Sequence, residues 1–149
     1  MKHIFVADGS GVKREDICGR LQCLYPEAEV KEFMSGSKLV NTLTVDCLED
    51  ILNNPTEYLV VMDVCMPWLI HDVSRLYCGK VVLQKMQESR LKCPAIIVTT
   101  EFFVREDLEK SYDAYAGYIL YKALTDQSDL YKLRIDEYYA KLAKAESGG

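Results

Sequence analysis

Positive charge is in deficit: 18 Lys and Arg stand against 23 Asp and Glu, a formal net charge of −5. A generally basic surface for nucleic acid is thereby excluded, because such binding is driven by lysines and arginines that neutralise phosphates. An acidic cleft that draws in a cation suits the balance better. No run of about 18 apolar residues offers a membrane span. The start, Met1-Lys2-His3-Ile4-Phe5-Val6-Ala7-Asp8, is charged too soon for a signal peptide, which predicts a cytoplasmic protein. Histidine is nearly absent, at His3 and His71 alone, and the six cysteines contain no CxxC pair. Neither a zinc site nor a disulfide framework has the spacing it needs, so the cysteines are expected to be reduced and largely buried.

What the chain does have is apolar side chain, 49% of its 149 residues, enough to bury the core of one ordinary domain. Residues 1–145 read as that single domain and 146–149 as a frayed tail. Five strand-like segments are each followed by a stretch of helical periodicity. Segments 3–8 and 58–63 are apolar over 4–7 and 58–62 and close on an aspartate, the pattern of strands covered on both faces. Residues 29–34 alternate and belong nearer a sheet edge, whereas 58–63 is the most apolar run and belongs at the centre. Segment 94–99 ends on Thr99, and segment 117–121 leads into Lys122. Helices are predicted over 12–24, 38–52, 106–116 and 126–145. The first carries Ile17, Leu21 and Leu24 on one face; the last carries Tyr131, Ile135, Tyr138 and Leu142. This alternation gives an α/β fold, a doubly wound five-stranded parallel sheet with helices on both faces.

Ligands of such sheets bind at the carboxyl ends of the strands, where the strand order reverses. Asp8 follows the first strand, Asp63 ends the third, Thr99 ends the fourth and Lys122 follows the fifth. Two carboxylates, a hydroxyl and an ammonium are therefore predicted on one rim. Paired carboxylates can hold Mg²⁺, and a carboxylate is a nucleophile towards phosphorus, forming an aspartyl phosphate. The metal and the lysine would neutralise charge on the transferring group, and the threonine hydroxyl would bond one of its oxygens.

Asp63-Val64-Cys65-Met66-Pro67 resembles the D-x-x-M-P segment of bacterial two-component response-regulator receiver domains. With Asp8, the Thr99-Thr100 pair and Lys122 in matching order, the resemblance covers nearly the whole chain. It implies the flavodoxin-like receiver fold of a stand-alone, chemotaxis-regulator-like member. It further implies Asp63 as phosphoacceptor, with Asp8, Asp63 and the backbone carbonyl of Cys65 as Mg²⁺ ligands. Lys122 and Thr99 would contact the phosphoryl oxygens, and Thr100 takes the small-residue place after that threonine. Tyr118 is the implied switch aromatic, with Ile119 as the competing match. The implied function is acceptance of a phosphoryl group from a histidine kinase or phosphotransfer protein, relayed to a downstream partner protein. Such a domain is an acceptor rather than an enzyme, catalysing at most its own phosphorylation and dephosphorylation. Tyr112, Tyr115, Tyr118, Tyr121, Tyr131, Tyr138 and Tyr139 crowd the C-terminal part. They read either as helix packing or as an interface, a homodimer included.

Three departures from the pattern stand out. Ala7 occupies the place of a second acid, Ala123 follows Lys122 where the family has proline, and eleven residues, 68–78, replace a short turn. Trp68, Leu69, Ile70, Leu76 and Tyr77 make that insertion too apolar for a linker, which predicts a lid or a contact surface. The missing acid keeps open a pseudo-receiver, an interaction module that works without phosphorylation. A flavin or nucleotide binder of the same topology is a weaker reading, because Asp8-Gly9-Ser10-Gly11 opens on a charge that repels phosphate and lacks G-x-G-x-x-G spacing. An aspartyl phosphatase would want a second acid where Cys65 stands.

Overall fold

The protein was analysed as a computed structural model that describes residues 1–70, 72, 78–100 and 105–148. The elements run β1 (His3–Ala7), α1 (Gly11–Leu24), β2 (Glu29–Phe33), α2 (Gly36–Asn41), a π-helical turn (Thr42–Asp46), α3 (Leu48–Asn53), a 3-10 turn (Pro55–Glu57), β3 (Tyr58–Met62), α4 (Cys78–Glu88), β4 (Ala95–Thr99), α5 (Arg105–Ser111), β5 (Tyr115–Leu120) and α6 (Ser128–Gly148). All five strands are parallel, in the order β2-β1-β3-β4-β5. The chain therefore starts in the sheet interior, steps to one edge, and returns across β1 to build the other half. The strand order reverses between β1 and β3, and a crevice opens at their carboxyl ends.

Alternation along the strands divides the core in two. Phe5, Ala7, Val60, Met62 and Ile97 face the layer of α2 to α5, where Leu39, Val82, Met86 and Tyr112 are buried. Ile4, Val6, Leu59, Val61, Val98 and Ile119 face α1 and α6, where Ile17, Leu21, Tyr131 and Ile135 are buried. β3 is buried throughout, as its unbroken apolar run requires, and β2 at the edge buries only Phe33.

Three helices depart from the sequence expectation. The helix expected over 38–52 is broken into α2, the π turn and α3, because Thr42, Thr44 and Val45 crowd the helix at Cβ and the Thr44 hydroxyl donates to the Val40 carbonyl at 2.7 Å. The helix expected to reach residue 116 stops at Ser111. There Tyr112 enters the core, and the Gln87 side chain accepts from Asp113 N at 2.8 Å and donates to the Asp113 carboxylate at 3.0 Å. The terminal helix runs on to Gly148 rather than ending at 145, and its Leu142 is exposed although Tyr131, Ile135 and Tyr138 are buried. Of the six cysteines, all free, only Cys78 and Cys93 are buried.

Candidate functional site

Asp8 and Asp63 are brought side by side by the reversal of strand order. Asp63 N donates to the Ala7 carbonyl at 3.1 Å and Asp8 N to the Phe33 carbonyl at 3.1 Å, so both ladders run one residue past the strands before the chain turns away. Each carboxylate then closes its own turn: Asp8 Oδ1 accepts from Ser10 N at 2.8 Å, and Asp63 Oδ1 accepts from Cys65 N at 3.1 Å. Arg14 fixes the Asp8 backbone by donating from Nη1 to its carbonyl at 2.9 Å while its Nε pairs with Glu32.

Between the two carboxylates lies Lys13. Ser10 caps α1, its hydroxyl accepting from Lys13 N, which puts Lys13 in the first helical turn. Side chains on a helix lean towards its N-terminus, so the lysine reaches back over the helix start into the crevice. Its ammonium is 2.8 Å from Asp8 Oδ2 and 2.7 Å from Asp63 Oδ2, and it donates to the Val98 carbonyl at 2.8 Å. Asp63 Oδ2 and the Val98 carbonyl accept hydrogen bonds from the ammonium, whereas Asp8 Oδ2 is an ion-pair contact that receives no hydrogen bond among the described residues. The Tyr121 ring stacks beyond, its centroid 5.6 Å from Nζ. The Lys13 side chain is 7% exposed, that of Asp8 3% and that of Asp63 12%, so the cluster is all but dry. A cation at the positive end of a helix dipole is disfavoured, and the paired carboxylates are what hold it there. Burial pushes the Asp8 carboxyl up, against the pull of the Lys13 ammonium and the Ser10 N–H.

A cavity of about 320 Å³ opens on this cluster, lined among others by Asp8, Ser10, Asp63, Cys65, Thr100 and Tyr121. The structure thus brings Asp8, Asp63, Cys65 and Thr100 together. Thr99 is buried at the end of β4, its carbonyl accepting from Tyr121 N at 2.8 Å, and it is Thr100 that reaches the cavity. Lys122 is exposed and does not line the cavity; its backbone N–H donates to Gln127. The reason is strand parity. Ile119 and Tyr121 point to the α1 side of the sheet, so Lys122, one residue on, points elsewhere. Tyr121 takes the inward place, its hydroxyl donating to Asp16 Oδ2 at 2.8 Å, and Asp16 in turn pairs with Arg20.

Lys13 was not among the residues singled out from the sequence, yet a signal for it exists. Counting back from Leu21 and Ile17 by fours lands on Lys13, a lysine on the buried stripe of α1. Gly79 is a second omission. Its N–H donates to the Val64 carbonyl at 3.0 Å, and a Cβ there would stand 2.7 Å from Val64 Cα and 2.8 Å from the Asp63 carbonyl. Only a glycine lets α4 press this closely on the strand end that carries Asp63. Tyr118 lines a separate groove of about 680 Å³ beside Arg134 and Glu137 rather than the Asp63 cavity. Trp68, at the head of the insertion, stacks on Gly36, and Pro67 and Trp68 carbonyls accept from Gly36 N and Ser37 N at 2.9 Å. Leu69 and Ile70 are exposed; His71 and residues 73–77, with Leu76 and Tyr77, lie outside the described residues.

No family model matches the chain, and no curated protein aligns with it significantly. Solved structures do match. The N-terminal domain of a response regulator/sensory box/GGDEF three-domain protein from Carboxydothermus hydrogenoformans superposes with a TM-score of 0.63 at 17% identity, over 98% of this chain and 99% of that one. The chain has the receiver fold. A DNA-binding response regulator of the LuxR family from Staphylococcus aureus gives 0.64 at 18% identity, over 93% and 98% of the two chains. The receiver domain of the histidine kinase CKI1 from Arabidopsis thaliana gives 0.55 at 17% identity over 79% of each.

A receiver-type Mg²⁺ site is not what these residues make. Mg²⁺ needs oxygen ligands at about 2.1 Å in octahedral array. An ion bound to Asp8 Oδ2 and Asp63 Oδ2 would press against the ammonium already bridging them. Among the described residues no third His, Cys, Asp or Glu joins the pair. With Lys13 in place the metal does not fit.

Proposed function

We propose that this receiver-fold chain is a signalling module that accepts a phosphoryl group on Asp63 from a phosphohistidine of a histidine kinase or phosphotransfer protein. The observation that carries the reading is the Asp63 carboxylate at the end of the central strand, ion-paired to Lys13 and facing a cavity also lined by Thr100. A carboxylate oxygen of Asp63 bonds to phosphorus as the P–N bond breaks, and the donor imidazole, protonated on its other ring nitrogen, departs neutral with the bonding pair. The Lys13 ammonium neutralises charge on the phosphoryl oxygens, the Thr100 hydroxyl donates to one of them, and the Cys65 N–H orients the carboxylate. The chain acts as an acceptor, not as a catalyst of free-substrate turnover. Its output is a partner protein met through the loops around the cavity and the groove beside Tyr118. Among the described residues no helix is long and apolar enough to cross a membrane. A homodimer through the tyrosine-rich face has less to offer, since Tyr112, Tyr131 and Tyr138 bury their rings in the core.

One observation favours the pseudo-receiver as second reading: both Asp63 oxygens are already engaged, by Lys13 and by Cys65 N–H. Incubation with acetyl phosphate or phosphoramidate, followed by intact mass and peptide mapping, separates the two. A single phosphoryl adduct on Asp63, lost in Asp63→Asn and retained in Lys122→Ala, is the expected outcome. Absence of any adduct, or an adduct that persists in Asp63→Asn, refutes phosphoacceptance and leaves the interaction module.

A further inference from the structure

We infer that Lys13 is the resident cation of the acidic crevice, standing where a divalent ion would otherwise bridge Asp8 and Asp63, so that the site is built to work without metal. The inference deepens the proposed function, yet it is decided by metal binding and so stands apart from phosphoryl acceptance.

Three observations carry it. Geometry comes first: one nitrogen lies 2.8 and 2.7 Å from the facing oxygens of buried Asp8 and partly buried Asp63, and it donates hydrogen bonds to Asp63 Oδ2 and the Val98 carbonyl. These are contacts of a designed-in ligand set rather than of a surface lysine that has folded over, for the side chain is 7% exposed and starts from a capped helix turn. Charge balance is second. Two carboxylates and one ammonium leave the cluster at −1, and the partly positive start of α1 faces it, whereas a divalent ion added beside Lys13 would bring three positive charges against two negative ones. The third observation is the ligand count. Ala7 removes the acid that precedes Asp8, and among the described residues the carboxylates number two. An ion would have to displace Lys13 to gain even a pair of carboxylate oxygens, and among the described residues the ammonium has no third carboxylate in its ion-pair set.

The consequence for chemistry is specific. The cation that meets an incoming phosphoryl group is fixed to the protein, carries one charge rather than two, and is supplied by α1 rather than by the loop after β5. Lys122, exposed beyond β5, is free of that duty.

The test titrates Mg²⁺, then Mn²⁺, into the full chain while ¹H–¹⁵N resonances of Asp8, Ser10, Asp63 and Cys65 are followed. Wild type is expected to show no saturable shift at millimolar Mg²⁺ and no paramagnetic broadening confined to these residues by Mn²⁺. Lys13→Met, which keeps the length and loses the charge, is expected to gain saturable binding of both ions. Saturable, site-confined binding by wild type overturns the inference, and so does a folded Lys13→Met that binds neither ion. If Lys13→Met fails to fold, the wild-type titration alone still decides. A parallel arm measures phosphoryl labelling of Asp63 with EDTA or with Mg²⁺. Equal rates support the inference; a fall of about a hundredfold in EDTA, the scale expected when a metal carries transition-state charge, overturns it. Absence of labelling in both conditions removes phosphoacceptance and leaves the metal titration to stand by itself.

Discussion

Replacing Lys13 by methionine tests the energetic account of the crevice. Among the described residues the change removes the one ammonium paired with Asp8 and Asp63, whose side chains are 3% and 12% exposed, and leaves them the N–H groups of Ser10 and Cys65. Breaking a buried ion pair from one side costs about 3–5 kcal/mol. The structure sets a ceiling, because Asp8 can escape by taking a proton. From its ordinary value of 3.8, protonation at pH 7 spans about 3.2 units at about 1.4 kcal/mol each, or about 4.4 kcal/mol. Burial has already raised the Asp8 carboxyl in the wild type, so the increment is smaller and about 3–4 kcal/mol is expected at pH 7. The sign of the pH dependence follows. Above pH 3.8 the folded variant holds a proton on Asp8 that the unfolded chain has released, so its stability falls as pH rises towards the raised folded value and recovers as pH drops. The deficit against wild type should shrink by at most about 1.4 kcal/mol per pH unit between pH 7 and 5. Urea unfolding followed by far-UV circular dichroism reads this directly: with m of about 1–3 kcal/mol/M, the midpoint at pH 7 moves by at least about 1 M. A deficit below about 1 kcal/mol, or one that does not change with pH, would refute the claim that a dry ion pair holds the site together.

Other outcomes follow from features away from the ion cluster. Gly79→Ala should cost about 1–3 kcal/mol, because its Cβ meets the backbone of Asp63 and Val64, while Gly19→Ala, with open space around it inside α1, should gain up to about 1 kcal/mol; thermal unfolding distinguishes the signs. Tyr112→Phe removes a buried hydroxyl that donates to the Cys93 carbonyl at 2.6 Å and should cost about 1–3 kcal/mol in urea unfolding, with a loss below about half a kcal/mol telling against that bond. Burial pushes the Cys18 thiol up to about 12 and the Cys93 thiol up to about 11, so at pH 8 their thiolate fractions are on the order of 10⁻⁴ and 10⁻³. Exposed Cys23 should therefore react first with a disulfide reagent, and peptide mapping that finds Cys18 labelled as early would contradict the burial argument.

The fold was legible because its signals are redundant. The apolar runs of β3 and β4 can satisfy their burial only inside a two-faced parallel sheet, and Asp8 and Asp63 follow from where such strands end. The weaker amphipathic pattern of β2 identified the edge for the same reason. What the sequence hid was phase and reach. Whether Tyr121 or Lys122 points inward depends on parity at the end of β5, which a one-residue count decides and composition does not. Lys13 was hidden differently: a long flexible side chain spans from α1 to a strand end 50 residues away, and periodicity records only which helical face it leaves from. The break in the 38–52 helix turned on a hydroxyl competing for a carbonyl, a local contest that hydrophobic spacing does not register.

The dry setting of the Lys13 ammonium, with two hydrogen bonds and an ion pair to Asp8, has a spectroscopic consequence. Ammonium protons of exposed lysines exchange with water too fast to be seen, because each is always close to a solvent molecule that can take it. Here two protons are hydrogen-bonded to protein oxygen, and the nitrogen is nearly dry in its ion pair with Asp8. The ζ-nitrogen of this one lysine should therefore give an observable correlated signal against a background of invisible ones, and the crevice carries its own reporter. Loss of that signal in ¹⁵N-enriched wild-type protein would time the opening of the site, whatever molecule does the opening.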